Sequence, residues 1–248
     1  MSRLDPEARL AELAANVPIL YEDNHVIVVV KPVNMPTQED ESRDPDLLSV
    51  LKAGIKIRYD KPGNVFLGLV HRLDRPVGGA MVFARTSKAA SRLSDAVRTR
   101  SFRKTYFAVV HGTPPAPQGE LRHYLVKDAK SNTVRAVPKG HPDAKEALLE
   151  YRVLGTSGVY SLVEVRLHTG RPHQIRVQFA ESSCPLYGDQ RYGGKLSEPG
   201  QQIALWSVLV GFEHPTLKTE LTFRSKPPAS HPWTLWSASI GDFIEQVH

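Results

Sequence analysis

Asp74 stands between two arginines in "HRLDRPVGG", residues 71–79, directly after the apolar run "VFLGLV". His71, Arg72, Asp74 and Arg75 put four charged or hydrogen-bonding side chains into five residues. An aspartate of ordinary pKa, about 3.9, is ionised at neutral pH; burial raises that value and a nearby guanidinium lowers it. A carboxylate kept charged in a partly dry site serves as nucleophile or base, not as acid. A turn aspartate bonding its own backbone accounts for the same position, and the residues alone leave both readings open.

A second cluster lies in "HTGRPHQIRVQFA", residues 168–180, where Arg171, His173, Gln174 and Arg176 meet at a loop-to-helix junction. Arg176 sits inside an otherwise apolar stretch, where a guanidinium calls for a carboxylate or phosphate partner, unless it snorkels to the surface. In a third segment, "RKTYFAVVHG", Tyr106 follows two basic residues and opens a strand. A tyrosine there can stack on a base and move a proton, or fill a core. His168 and His173 have no third ligand and no HExxH frame, so no metal site is expected. "HRLD" resembles a kinase catalytic loop, but no glycine-rich phosphate loop accompanies it.

These side chains need elements to hold them. "ILYEDNHVIVVVKP" reads as two short strands around the turn "EDNH"; residues 47–54 suit a short helix; "GLVHRL" and "GAMVFAR" read as strands on either side of the Asp74 segment. "SKAASRLSDAVRTR" is helical, with Ala90, Leu93 and Val97 on one stripe and Ser87 as N-cap. "KTYFAVVHG" is a strand, and "PPAPQG" a turn. "LLEYRV" and "YSLVEVRL" alternate as a hairpin joined by "GTSG". "RPHQIRVQFAES" suits a helix with Pro172 near its first turn, and "IALWSVLVGFEHP" with "KTELTFRSKPP" a last strand pair. Many strands with few helices imply an α+β fold on a mixed, mostly antiparallel sheet. Residues 1–18 are expected as a lead-in segment with an amphipathic helix carrying Leu10, Leu13 and Val17, and residues 19–248 as one catalytic domain.

Of the 248 residues, 41% are hydrophobic and 23% charged, as in a globular chain large enough for a sizeable core. The net charge of +6 favours a polyanionic partner. With Cys184 the only cysteine, an intramolecular disulfide is excluded, and a reducing compartment is expected. "VIVVV" is far short of the roughly 20 residues of a membrane span, and the acids near the N-terminus argue against a secretory signal. A cytoplasmic monomer is the expectation.

The chain resembles the RluA-type family of RNA pseudouridine synthases. The resemblance runs over roughly residues 19 to 225, in five blocks: "ILYEDNHVIVVVKP", "HRLDRPVGGAMVFARTSKAA", "KTYFAVVHG", "HTGRPHQIRVQFA" with "PLYGDQRYGG", and "LVGFEHP". It implies the pseudouridine synthase catalytic fold and conversion of uridine to pseudouridine in structured RNA (rRNA or tRNA) without cofactor or metal. By resemblance Asp74 is the catalytic aspartate, Tyr106 the active-site tyrosine, Arg176 the arginine that pairs with the aspartate, and Arg72 the group that displaces the target base. Leu205 matches a pocket leucine, although "IALWS" departs from the usual block; His71, Arg171, His173 and Gln174 are expected around the substrate. Two further departures stand out: Pro76-Val77 replaces the usual Thr-Ser, and Asn34 stands where many members carry Gly. A non-catalytic RNA-binding module is the alternative function; a carboxylate-pair glycosidase lacks its second acid in these blocks.

Overall fold

The computed structural model describes residues 6–128 and 130–247. The chain forms two compact units: one runs up to Phe102 and takes back Leu209–Ser225, and the other comprises Arg103–Val208 and the chain from Lys226 onward.

The first unit contains α1 (Pro6–Ala15), β1 (Ile19–Glu22), β2 (Val26–Lys31), α2 (Leu47–Arg58), β3 (Gly68–Leu69), β4 (Gly78–Ala84) and α3 (Ser87–Arg98), with most of β10 (Leu205–Glu213) and all of β11 (Glu220–Arg224). Its strand order is β1-β2-β4-β10, with β3 on β4 and β11 on β10. The β1–β2, β2–β4, β3–β4 and β10–β11 pairings are antiparallel. The "EDNH" turn forms because the Asp23 carboxylate accepts the N–H groups of His25 (2.7 Å) and Val26 (2.8 Å), reversing the chain between β1 and β2. Every residue of β4 is buried, so it reads as an unbroken apolar run rather than as an alternation. Val28 lies opposite Val82 in the ladder, and Leu93 of α3, Phe102 and Phe212 complete this core. The Phe102 and Phe212 rings stack in parallel at 5.6 Å.

Three local features differ from the sequence-based expectation. The N-cap of α3 is Thr86, whose hydroxyl accepts the Ala89 N–H at 3.1 Å, and not Ser87, which already lies in the first turn. The helix expected over residues 47–54 continues to Arg58. Only Gly68–Leu69 of "GLVHRL" is strand; beyond it, side chains take over the bonding. The His71 Nε2 accepts the Val82 N–H at 3.2 Å, and the Thr37 hydroxyl donates to the Leu73 carbonyl at 2.8 Å.

The second unit contains β5 (Arg103–His111), β6 (Gln118–Asp128), β7 (Thr133–Val137), β8 (Lys145–Ser157), β9 (Tyr160–Leu167), α4 (Gln174–Glu181) and α5 (Ile240–Glu245), with the start of β10. Its strands run β5-β9-β8-β6-β7, each neighbouring pair antiparallel. The β8–β9 hairpin is longer than expected: Ser157 pairs with Tyr160, so Gly158 and Val159 make the turn and most of "GTSG" is strand. Gly158 has φ +58°, as a two-residue hairpin turn requires. The β6–β7 hairpin was not expected at all. Pro172 lies outside α4, because His173 at φ +51° holds the N-cap position. Cys184 is buried beside the end of α4, its N–H donating to the Phe179 carbonyl at 3.0 Å, and burial pushes its thiol pKa up.

Phe212→Ala removes a fully buried ring from the first core. The expected loss is about 3–5 kcal/mol of unfolding free energy, measurable as a lowered urea midpoint.

Candidate active site

Asp74 opens a tight turn in the first unit: the Val77 N–H donates to the Asp74 carbonyl at 3.0 Å. Leu73 and Val77, on either side, are buried at 3% and 2% exposure and anchor the turn in the core. Pro76 fixes one of its dihedrals. The replacement of Thr-Ser by Pro76-Val77 thus exchanges hydroxyls for a rigid ring and a buried apolar side chain. Asn34 adopts φ +62°, the left-handed conformation for which glycine is the usual residue and which Asn tolerates.

Beneath this turn lies a residue that the sequence reading passed over. Lys31, the last residue of β2, is fully buried. Its ammonium donates to the carbonyls of Pro32 (2.9 Å), Arg75 (3.0 Å) and Val77 (2.8 Å), so it straddles Pro76 from below. Burial pushes its pKa down to about 7; the Asp74 carboxylate pulls the other way, and the Arg75 guanidinium adds to the depression. A lysine ending the apolar run "VIVVV" was the available signal, since such a strand end sits deep in the sheet. Arg75 itself turns outward to Asp44 and the Ser42 hydroxyl. Arg72 is exposed, and His71 is half-buried.

In the second unit α4 is buried on all sides from Gln174 to Phe179. A helix so enclosed has to find partners for its polar side chains inside the protein, and it does so for all but the Gln178 Oε1, which is buried without one. Gln174 donates to the Leu148 carbonyl (3.1 Å) and accepts from the Thr169 hydroxyl (2.8 Å) and the Arg171 N–H (2.9 Å). One turn on, Gln178 donates to the carbonyls of Leu121 (2.7 Å) and Ala147 (3.1 Å). The two amides therefore tie α4 to β6 and β8. Gln174, expected near substrate, positions the helix through these bonds.

Between them Arg176 makes a bidentate pair with Asp189, Nε to Oδ2 at 2.8 Å and Nη2 to Oδ1 at 2.7 Å. Asp189 is 1% exposed and also accepts the N–H groups of Arg191 (3.0 Å) and Tyr192 (3.2 Å). Asp189 does not stand out within "PLYGDQRYGG"; an acid between Gly188 and a polar turn was the available signal. Gly188 has φ +69°, and a Cβ there would fall 2.4 Å from the Gln202 carbonyl oxygen, so only glycine fits before Asp189. The Tyr192 ring lies 5.1 Å from the guanidinium, and its hydroxyl bonds the His173 Nδ1 at 2.7 Å and accepts the Val134 N–H at 2.9 Å. Arg171 donates through Nε to the Glu146 carbonyl at 2.9 Å. Leu205, at the start of β10, and Tyr106, in β5, are each 5% exposed. Tyr106 pairs with Val165, which pairs with Tyr151; Tyr151 meets Phe179 of α4 edge-on at 5.8 Å. Tyr106 thus lies on the sheet face that α4 covers. On the opposite face the buried Glu164 is clamped by Arg152 (2.6 Å) and Arg166 (2.8 Å).

Among the described residues no group of three or more His, Cys, Asp or Glu side chains gathers as metal ligands, and no helix is long and apolar enough to cross a membrane. The family described as RNA pseudouridylate synthase matches residues 25–181. The chain belongs to the RNA pseudouridylate synthase family. It is 33% identical over 250 residues to the ribosomal large subunit pseudouridine synthase D of Yersinia pestis, covering 100% of this chain and 74% of that protein. The same-named protein of Escherichia coli strain K12 is 32% identical over 249 residues, 99% and 74% of the two chains. The solved structure of human RNA pseudouridylate synthase domain containing 4 shares the fold, with a TM-score of 0.77 at 24% identity over 92% of this chain and 95% of that one. This synthase is an isomerase acting on RNA.

The pseudouridine synthase carries two internal charges that can be tested separately. Between about pH 7 and the ordinary lysine value of 10.5, Lys31 binds fewer protons folded than unfolded, so it makes stability rise with pH across that window. Lys31→Met loses three carbonyl bonds and should also lose that part of the slope. Urea midpoints of parent and variant from about pH 6.5 to 9.5 read the difference. Asp189→Asn leaves Arg176 buried opposite a neutral amide. The expected cost is about 3–5 kcal/mol, read from chemical unfolding.

Proposed function

We propose that this synthase isomerises uridines of large-subunit ribosomal RNA, with Asp74 as its catalytic carboxylate. The observation that carries the substrate is the identity of about a third, across essentially the whole chain, to synthases named for the ribosomal large subunit. The net charge of +6 supports a polyanionic substrate.

The reaction breaks the N-glycosidic bond of uridine, turns the base and rejoins it to the ribose through C5; the C5 proton leaves and N1 regains one, so no atoms are lost. The base must leave its stack, at a cost of a few kcal/mol. In the proposed division of labour, Arg72, exposed beside the Asp74 turn, fills the place of the displaced base. Asp74 acts on the nucleoside, held by a turn that is anchored through Leu73, Val77 and Lys31. Tyr106 carries the hydroxyl for the closing proton transfer. Arg176, oriented by Asp189, supplies a fixed positive charge. His71, Arg171, His173 and Leu205 shape the surroundings, and Gln174 acts through its hold on α4. Because the detached uracil stays trapped, rejoining is effectively intramolecular, an advantage of about 7–11 kcal/mol.

The test is Asp74→Asn, assayed on in vitro transcribed large-subunit rRNA with carbodiimide mapping of pseudouridine. Conversion should fall to background while RNA affinity stays nearly unchanged. Turnover by the Asn variant at a rate near the parent's removes Asp74 from the mechanism. Failure of the parent on rRNA together with conversion of tRNA reassigns the substrate.

A further inference from the structure

We propose that Lys104, with the open backbone at Gly170, forms a phosphate-binding subsite that takes the RNA backbone beside Tyr106. The proposal rests on the reading of this chain as an RNA-modifying enzyme and adds a residue to its substrate grip.

Lys104 and Tyr106 stand two apart in β5, so their side chains leave the same face of the strand, about 6.6 Å apart along it. That spacing is comparable to the span between a nucleotide's base and its own phosphate. Lys104 is half-buried. Three other partly or fully buried cations have acceptors: Lys31 has three carbonyls, Arg176 has Asp189, and Arg85 has Glu22 and the Asp23 carbonyl. Among the described residues no acceptor bonds the Lys104 ammonium and no carboxylate lies within ion-pair distance of it. Burial alone pushes its pKa down, with no carboxylate pulling back. A desolvated cation left in this state is completed by an anion from outside.

Gly170 supplies the second observation. Its φ lies outside the left-handed region, so the backbone does not call for glycine. A Cβ at this position would meet a single neighbour within 4 Å, the Lys104 Nζ at 3.5 Å. Glycine therefore keeps the ammonium uncovered from the loop side, and any side chain would cap it. The loop is fixed in place: the Thr169 hydroxyl accepts the Leu148 N–H at 2.8 Å, and the Arg171 N–H is held by Gln174. Arg171, next to Gly170 in sequence and tethered to Glu146 through Nε, adds a second cation, a guanidinium. A lysine that only covered apolar surface with its stem would carry its ammonium into open water. This one ends against the loop, on the face that bears the tyrosine.

The experiment compares Lys104→Met, Lys104→Arg and Gly170→Ala with the parent. RNA affinity on in vitro transcribed large-subunit rRNA is measured against salt concentration, with single-turnover conversion and the melting temperature followed alongside. Lys104→Met should bind about tenfold more weakly or worse and shallow the log–log salt slope by about 0.7 for a single-stranded contact. Lys104→Arg should keep the slope. Gly170→Ala should weaken binding while the charge remains. An unchanged salt slope in Lys104→Met overturns the proposal, as does a lowered melting temperature with parental affinity, which marks a purely structural lysine. If the Met variant does not fold, parental affinity in Gly170→Ala overturns it instead. A parent that binds this RNA but converts no uridine in it counts against the enzymatic reading, and the slope comparison still decides the subsite.

Discussion

One buried ammonium holds the segment that carries Asp74. Lys31 reaches the turn from the strand beneath and gathers three carbonyls that would otherwise be orphaned where the chain leaves the ladder. Burying a cation this fully is unfavourable unless hydrogen bonds and a nearby negative charge offset the loss of water. Both are present, and the negative charge is Asp74 itself. The carboxylate proposed to act on RNA thus favours the protonated form of its own support, although burial still brings that pKa down to about 7. With Leu73 and Val77 in the core and Pro76 stiffening the bend, the turn has few ways to relax.

The second unit solves the same problem with amides instead of an amine. A helix enclosed on every side cannot leave a polar group to solvent, and α4 carries three of them within five residues. Gln174 and Gln178 are four apart and both bond β8, so they fix both the height and the rotation of the helix. Arg176, between them, is then aimed by Asp189, whose remaining lone pairs take backbone N–H groups of the following turn. In both units a charged side chain is placed by backbone groups and buried partners, not by surface ion pairs, which contribute little.

What was legible in the sequence follows from how strongly each segment declares one periodicity. β4, β5 and the β8–β9 pair were readable because their apolar runs are long and flanked by turns. The β6–β7 hairpin was not, because "GELRHYLVKD" mixes charges into both faces; of β6 only Leu125 is fully buried. The misplaced hairpin turn shows the limit of turn chemistry: "GTSG" offers two glycines, and pairing across the strands selects the second. Boundary details such as Thr86 over Ser87 depend on which hydroxyl reaches a free N–H, and spacing does not settle that. The candidate site residues could be named because they cluster around recognisable motifs. Lys31 and Asp189 were passed over because each acts through a partner distant in sequence, or through backbone, which a linear reading does not display.

Cys184 has a practical consequence. The protein's sole thiol is 5% exposed, and burial raises its pKa, so little of it is the reactive thiolate at neutral pH. The native chain is therefore nearly silent toward maleimides and similar reagents. Val159, at the tip of the β8–β9 turn, is 67% exposed and contributes nothing to the core. A cysteine introduced there would be the one fast-reacting handle on the molecule. Fluorophores or spin labels could be attached at that single point without first deleting a native residue.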